Sequence, residues 1–202
     1  MVSPDEACPN YNDIIRNFEE GHAWLWEQFG ESITPQVGWQ LDPFGHSAGY
    51  AHLYAEMGFE STVFTRINED DEKNRLLERD EQFIWKPKFA FADAIDKEAN
   101  TGILGHKTFG GYGPPEAIPV NWFKDVWAGP ILHIKDVNDS VCESMMQHFK
   151  QYKETRRTNQ ILVMYGQDFA HRDGASLDNL DELINALYAY ADRQGLGTKY
   201  SF

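Results

Sequence analysis

With 202 residues the chain is long enough for one sizeable hydrophobic core and too short for two. Apolar residues make up 42% and aromatics 14%, which supports a packed interior and excludes a disordered chain. A formal net charge of −14 excludes nucleic acid and anionic membrane surfaces as partners, because both call for basic patches. No apolar run approaches the roughly 18 residues of a membrane-spanning helix, and Met1-Val2-Ser3-Pro4-Asp5 does not read as a signal peptide. Cys8 and Cys142 are too few for a disulfide framework; they could bridge, but two free buried thiols is the simpler expectation. The sequon Asn138-Asp139-Ser140 would matter only in the secretory route.

In chain order, strand and helix patterns alternate. Ile14, Ile15, Phe18, Leu25 and Phe29 make one apolar helical face over residues 14–29, with Gly30 as a stop. Residues 37–41 read as a short apolar strand, 48–57 as a helix closed by Gly58, and 62–65 as a second strand. The charged stretch 68–80 reads as a solvated helix, its acidic run Glu69-Asp70-Asp71-Glu72 suiting the positive end of a helix dipole. A short strand over 83–86 stops at Pro87, and residues 100–130, rich in glycine and proline, read as a long irregular excursion of the functional or mobile kind. Residues 136–155 return to helix, 160–165 to an apolar strand, 177–194 to an amphipathic helix ended by Gly195, and 199–202 begin another strand. Such βα repetition argues for an α/β fold, with a parallel sheet covered by helices and either open or closed as a barrel. Only roughly five strands appear where a barrel needs seven or eight, so the chain reads as one piece of a larger single domain.

The chemistry concentrates at two strand ends. In Trp39-Gln40-Leu41-Asp42-Pro43-Phe44-Gly45-His46-Ser47, proline pushes Asp42 toward an extended backbone, Gly45 permits a sharp turn and Ser47 can cap the next helix. Asp168 follows the second apolar run, in Val163-Met164-Tyr165-Gly166-Gln167-Asp168-Phe169. In a parallel sheet both carboxylates would leave the C-terminal face, and two acids on one pocket are what glycosidic bond cleavage needs. Strand-end aspartates also serve simply as helix caps, and spacing alone does not separate the two uses. His46, four residues after Asp42, could ligate a metal or hydrogen-bond behind the site. His171 reads as a surface loop residue, and the six tryptophans as core more than as sugar platforms.

The segment 39–47 resembles the signature of the α-mannosidases of glycoside hydrolase family 38, most of all their lysosomal branch. Asp5-Glu6-Ala7, Ala55-Glu56-Met57-Gly58-Phe59, Arg66, Gly111-Tyr112-Gly113-Pro114-Pro115, Arg157-Thr158-Asn159 and Gly166-Gln167-Asp168-Phe169 follow in the family's order, from about residue 4 to the end. The resemblance implies a retaining exo-α-mannosidase on a (β/α)7 barrel, of which this chain would be an incomplete part, acting on mannose-containing glycans with a zinc ion in the sugar site. It implies Asp42 as nucleophile and zinc ligand, Asp168 as acid/base, Arg66 as the residue orienting the nucleophile or the sugar, and Tyr112 as lining the mannose pocket. It also implies a lysosomal or other secretory-pathway compartment, and leaves linkage preference and oligomeric state open. One departure bears on the zinc. The family's early-strand His-x-Asp pair is absent here; the letters occur only at His171-Arg172-Asp173, three residues past Asp168. The remaining ligands are therefore expected outside this chain, which by itself would be inactive. Two alternatives stay open: a non-catalytic carbohydrate-binding remnant, and a metal-dependent deacetylase using Asp42 and His46.

Overall fold

The computed structural model describes residues 4–30, 32–86, 102–119, 123–125, 129–131, 134, 136–168, 170–171 and 174–196. Trp122, Trp127, Asp173 and the strand expected at 199–202 lie outside them. The chain divides into two compact units, residues 1–108 with 155–157, and residues 109–154 with 158–202, each with a hydrophobic cluster of its own where the chain length had suggested a single core.

The first unit is built on a four-stranded sheet in the order β1-β2-β4-β3, where β1 is Val37–Gln40, β2 Ser61–Phe64, β3 Gln82–Trp85 and β4 Ile103–Lys107. β1, β2 and β4 run parallel, with Val37 opposite Ser61 and Ser61 opposite Leu104. β3 is antiparallel to β4, pairing Trp85 with Ile103, so the sheet is mixed and not purely parallel as expected. β4 lies inside the stretch read as irregular. Gly105 within it and Gly102 just before it hid it, because glycine normally weakens a strand. Here Gly105 admits the Phe83 ring, which would sit 2.9 Å from a Cβ built at that position.

Three helices accompany the sheet. α1, Tyr11–Phe29, is capped by Asn10, whose side chain accepts the amides of Asn12 and Asp13. It buries Ile14, Phe18 and Gly21, one i, i+4, i+7 stripe, while Phe29 is 61% exposed and does not join the face expected of it. α2, Ala48–Glu56, starts on Ser47, whose hydroxyl accepts the Gly49 amide at 3.1 Å. α3, Glu69–Glu78, is capped by Asn68, carries four acids in its first turn and buries none of its residues, the solvated helix its composition foretold. Ile14, Phe18, Tyr50, Ala51, Tyr54, Phe59 and Ile103 form the core of the unit. Its aromatic rings meet edge-on or tilted, as Tyr54 does with Phe18 at 5.5 Å and with Phe59 at 4.6 Å.

The second unit holds the hairpin β5 (Phe123–Asp125) and β6 (Gly129–Ile131) and the helices α4 (Asp139–Glu154) and α5 (Ala175–Arg193). Its core joins Val141, Cys142, Met145, Met146 and Phe149 of α4 to Leu183 and Leu187 of α5. The apolar stretch 160–165 is not a strand: it forms no ladder among the described residues, and apolar content without a paired edge does not make one. Its Ile161, Val163 and Tyr165 instead pack against the helical core. Both cysteines are free, Cys142 buried as expected and Cys8 exposed. Trp24, Trp26 and Trp39 are exposed rather than core. No helix among the described residues is long and apolar enough to cross a membrane.

A Cβ added at Gly38 would fall 2.5 Å from the ring of Tyr54, a side chain only 2% exposed that cannot give way. Gly38→Ala is therefore expected to destabilise the chain by about 1–3 kcal/mol through overpacking. An unchanged urea midpoint would contradict the close approach of β1 and α2.

Candidate active site

The site grows from the exit of β1. Within that strand Gly38 and Gln40 face inward and Val37 and Trp39 outward; Asp42, two residues past its end, has left the pleat and is exposed. Gln40 is 1% exposed, and its amide donates to the Pro4 carbonyl at 3.0 Å and to Glu6 Oε1 at 3.3 Å. Pro43 then stiffens the loop, and Gly45 reverses it at φ +127°, a conformation that strongly favours glycine.

Asp42 meets Arg66, which lies just past the end of β2, with Arg66 Nε donating to Asp42 Oδ1 at 2.5 Å. The guanidinium also lies over the Phe44 ring, 4.7 Å from its centroid. The two side chains are 45% and 48% exposed. An ion pair so open contributes no more than about 1 kcal/mol to stability, so its significance is geometric. Beside it a cavity of about 720 Å³ is lined by His46, Phe64, Arg66, Asp71, Phe83 and Trp85 among others.

His46 does not face that chemistry as a ligand would. Its Nε2 lies 2.8 Å from the Arg66 carbonyl oxygen, which can only accept, so Nε2 carries a proton. Its Nδ1 lies 2.9 Å from Glu6 Oε1. Both ring nitrogens are thus engaged, and His46 takes the hydrogen-bonded role behind the site. Burial alone would push the imidazole's pKa down, but the hydrogen bond and charge of Glu6, with the Arg66 carbonyl, outweigh it and the net shift is upward.

The residue that sequence reasoning missed is Glu6. Its side chain is 3% exposed, and besides Gln40 and His46 it accepts the Ser47 amide at Oε2, at 2.6 Å. The available signal was Asp5-Glu6-Ala7, a motif legible as a resemblance, with nothing local to reveal the carboxylate's partners far along the chain.

Asp168 and Tyr112 belong to the second unit. Asp168 is exposed, at the end of the segment that forms no strand, and Tyr112 is half-buried. The Gly111–Gly113 turn lies against the approach to Asp168: a Cβ built on Gly113 would sit 3.5 Å from Gln167 Oε1 and 4.0 Å from the Gly166 carbonyl oxygen. His171, exposed as expected, donates from Nε2 to the Tyr165 carbonyl at 2.9 Å and engages Ser176 Oγ at 3.0 Å, fastening the end of the segment before Asp168 to α5. The first unit thus brings Asp42 and Arg66 together, and the second brings Tyr112 near the Asp168 segment. Among the described residues no three His, Cys, Asp or Glu side chains cluster as a metal site.

Comparison with known proteins identifies the family. Residues 1–199 match the model of the glycosyl hydrolases family 38 N-terminal domain. The chain is 31% identical to the lysosomal α-mannosidase of Dictyostelium discoideum over 98% of its own length, and 34% identical to an α-mannosidase of Arabidopsis thaliana over 100%. It is 34% identical to the α-mannosidase of Canavalia ensiformis over 92%. The chain spans 19% of the length of each of these relatives.

Because the pKa of His46 is raised on folding, its contribution is full below the unfolded value of about 6.5 and is lost as pH rises through the folded value. His46→Gln should therefore lose more stability at pH 6 than at pH 8. Equal losses in urea denaturation at the two pH values would refute the Glu6–His46 contact.

Proposed function

The chain belongs to glycosyl hydrolase family 38, and on that premise we propose that it is part of a retaining exo-α-mannosidase that removes terminal α-mannose from mannose-containing glycans. The observation that carries the reading is the Asp42–Arg66 pair, a half-exposed carboxylate held by a guanidinium just past the end of a parallel strand. The substrate class follows from relatives that bear the name α-mannosidase. On this reading residues 1–202 are part of one catalytic domain, an incomplete (β/α)7 barrel. Its compartment is lysosomal or elsewhere in the secretory pathway, as the names of the lysosomal relatives suggest.

The residues divide the work of a double displacement. Asp168, protonated, gives its proton to the glycosidic oxygen as the bond from that oxygen to the anomeric carbon breaks. Asp42 attacks the same carbon and forms a glycosyl ester. Asp168, now a base, takes a proton from water, whose oxygen attacks the anomeric carbon, frees Asp42 and leaves mannose with its configuration retained. Arg66 Nε fixes which oxygen of Asp42 is held, leaving Oδ2 to attack. Tyr112, on the turn beside the Asp168 segment, lines the mannose pocket.

Zinc is part of the proposal, with Asp42 as one ligand, and when bound it would polarise the sugar hydroxyls as a Lewis acid. The described residues alone do not suffice to hold it. Zinc takes three or four protein ligands, no described cluster offers three, and both His46 nitrogens are committed elsewhere. The remaining ligands would come from outside these 202 residues. The deacetylase alternative loses its second ligand for the same reason. A carbohydrate-binding remnant without turnover remains the second reading, favoured by the missing ligand cluster.

In the full-length protein, Asp168→Asn should lower kcat on an aryl α-mannoside by about 10²–10⁴-fold, the usual contribution of a general acid. Asp42→Asn should abolish turnover, and wild-type rates in both variants would sink the assignment. The first sugar released, followed by proton NMR, should be α-mannose; β-mannose would rule out a retaining mechanism. Residues 1–202 alone should show no turnover and substoichiometric zinc by metal analysis, and a full equivalent of zinc with activity would show that the chain holds a complete site.

A further inference from the structure

We propose that Glu6 is a positioning residue for this reaction: its buried carboxylate pins both ends of the loop that carries Asp42 and, through His46, the backbone of Arg66. The proposal rests on the reading of Asp42 as nucleophile. A carboxylate offers about four acceptor sites, and three of them here serve this one loop. Oε1 takes the Gln40 amide before Asp42 and the His46 ring after it, and Oε2 takes the Ser47 backbone amide. Residues 41–45 are thus held between two points fastened to the same group. His46 then donates to the Arg66 carbonyl, and the Arg66 side chain returns to Asp42, closing a ring of contacts around the attacking carboxylate.

The position of Glu6 excludes direct action on a sugar. It is nearly sealed from solvent, whereas Asp42 and Arg66 are half-exposed. Its effect must pass through the loop. Nor is it a generic core filler: among the described residues, the groups that hydrogen-bond to its carboxylate all belong to residues 40–47. Misplacing a reacting group by about 1 Å costs on the order of 100-fold in rate, so a clamp on the nucleophile's loop matters to turnover far more than to substrate affinity.

The test compares Glu6→Ala and Glu6→Gln with the wild-type full-length protein. Glu6→Ala should lower kcat on an aryl α-mannoside by about 10–100-fold, the range seen when a residue supporting a ligand is removed, with KM little changed. The glutamine of Glu6→Gln can still accept the Ser47 amide and donate to a neutral His46, so it should recover most of the loss. Equal loss in both variants, or wild-type kcat in a folded Glu6→Ala, overturns the proposal. A second arm does not depend on activity: histidine-selective ¹⁵N spectra should give His46 a titration midpoint that falls in Glu6→Gln and in any folded Glu6→Ala. A midpoint unmoved by either change overturns the clamp. A wild-type protein with no mannosidase activity would instead retract the functional reading and leave the titration to judge the clamp.

Discussion

A carboxylate shut away from water loses hydration worth several kcal/mol, and it stays in a fold only where donors replace the water. Glu6 meets that condition with groups drawn from one place, the passage from β1 into α2. The chain on either side is organised for it. Asp5 Oδ1 accepts the amides of Ala7 and Cys8 at 2.7 and 2.8 Å, turning the backbone toward the Asn10 cap of α1. Ser47, held by Glu6 through its amide, is itself the cap of α2. One buried group therefore ties the segment before α1, the exit of β1, the start of α2 and the exit of β2, and the Asp42–Arg66 pair sits at the junction.

The same unit uses a second buried carboxylate for a different purpose. Glu81 is fully buried between Arg156, 3.2 Å from its Oε2, and Lys107, 3.9 Å from its Oε1, while Thr155 donates to it at 3.1 Å. Arg156 also donates to the Lys107 carbonyl at 2.6 Å, and Lys107 pairs with Glu72 of α3. Breaking such a network by removing one member leaves an uncompensated buried charge, typically a loss of about 3–5 kcal/mol. These contacts bring α3, β4 and residues 155–157 to one point. The half-exposed Asp42–Arg66 pair is energetically slight beside them. The sealed charges are the ones whose removal the fold would feel, whereas the exposed pair stays open to solvent.

The helices and the strands β1 and β2 were legible because their signals are local. Asn10, Ser47 and Asn68 cap where side-chain chemistry puts caps, and Gly30, Gly58 and Gly195 terminate at positive φ. β4 was not legible, since its glycines argue against a strand until Phe83 is seen to fill the space over Gly105. The segment 160–165 erred the other way. Its residues suit a strand, but a strand exists only with a partner edge, and its side chains are used in the helical core instead. The direction of β3 was equally hidden, because alternation reports which residues are buried and not which way a neighbour runs.

The sequence by itself determined where the helices lie to within about three residues, the sharp turn at Gly45, the stiffened placement of Asp42 and, through its ordered motifs, the family. Each of these depends on interactions within a few residues or on a pattern of letters. Only the tertiary structure decided that Glu6 governs the Asp42 loop, that His46 is occupied on both nitrogens, and that Arg66 meets Asp42 directly. Glu6 and Ser47 lie 41 positions apart, and Asp42 and Arg66 lie 24 apart. Contacts across such separations arise from how the strands and helices pack, which no local propensity encodes.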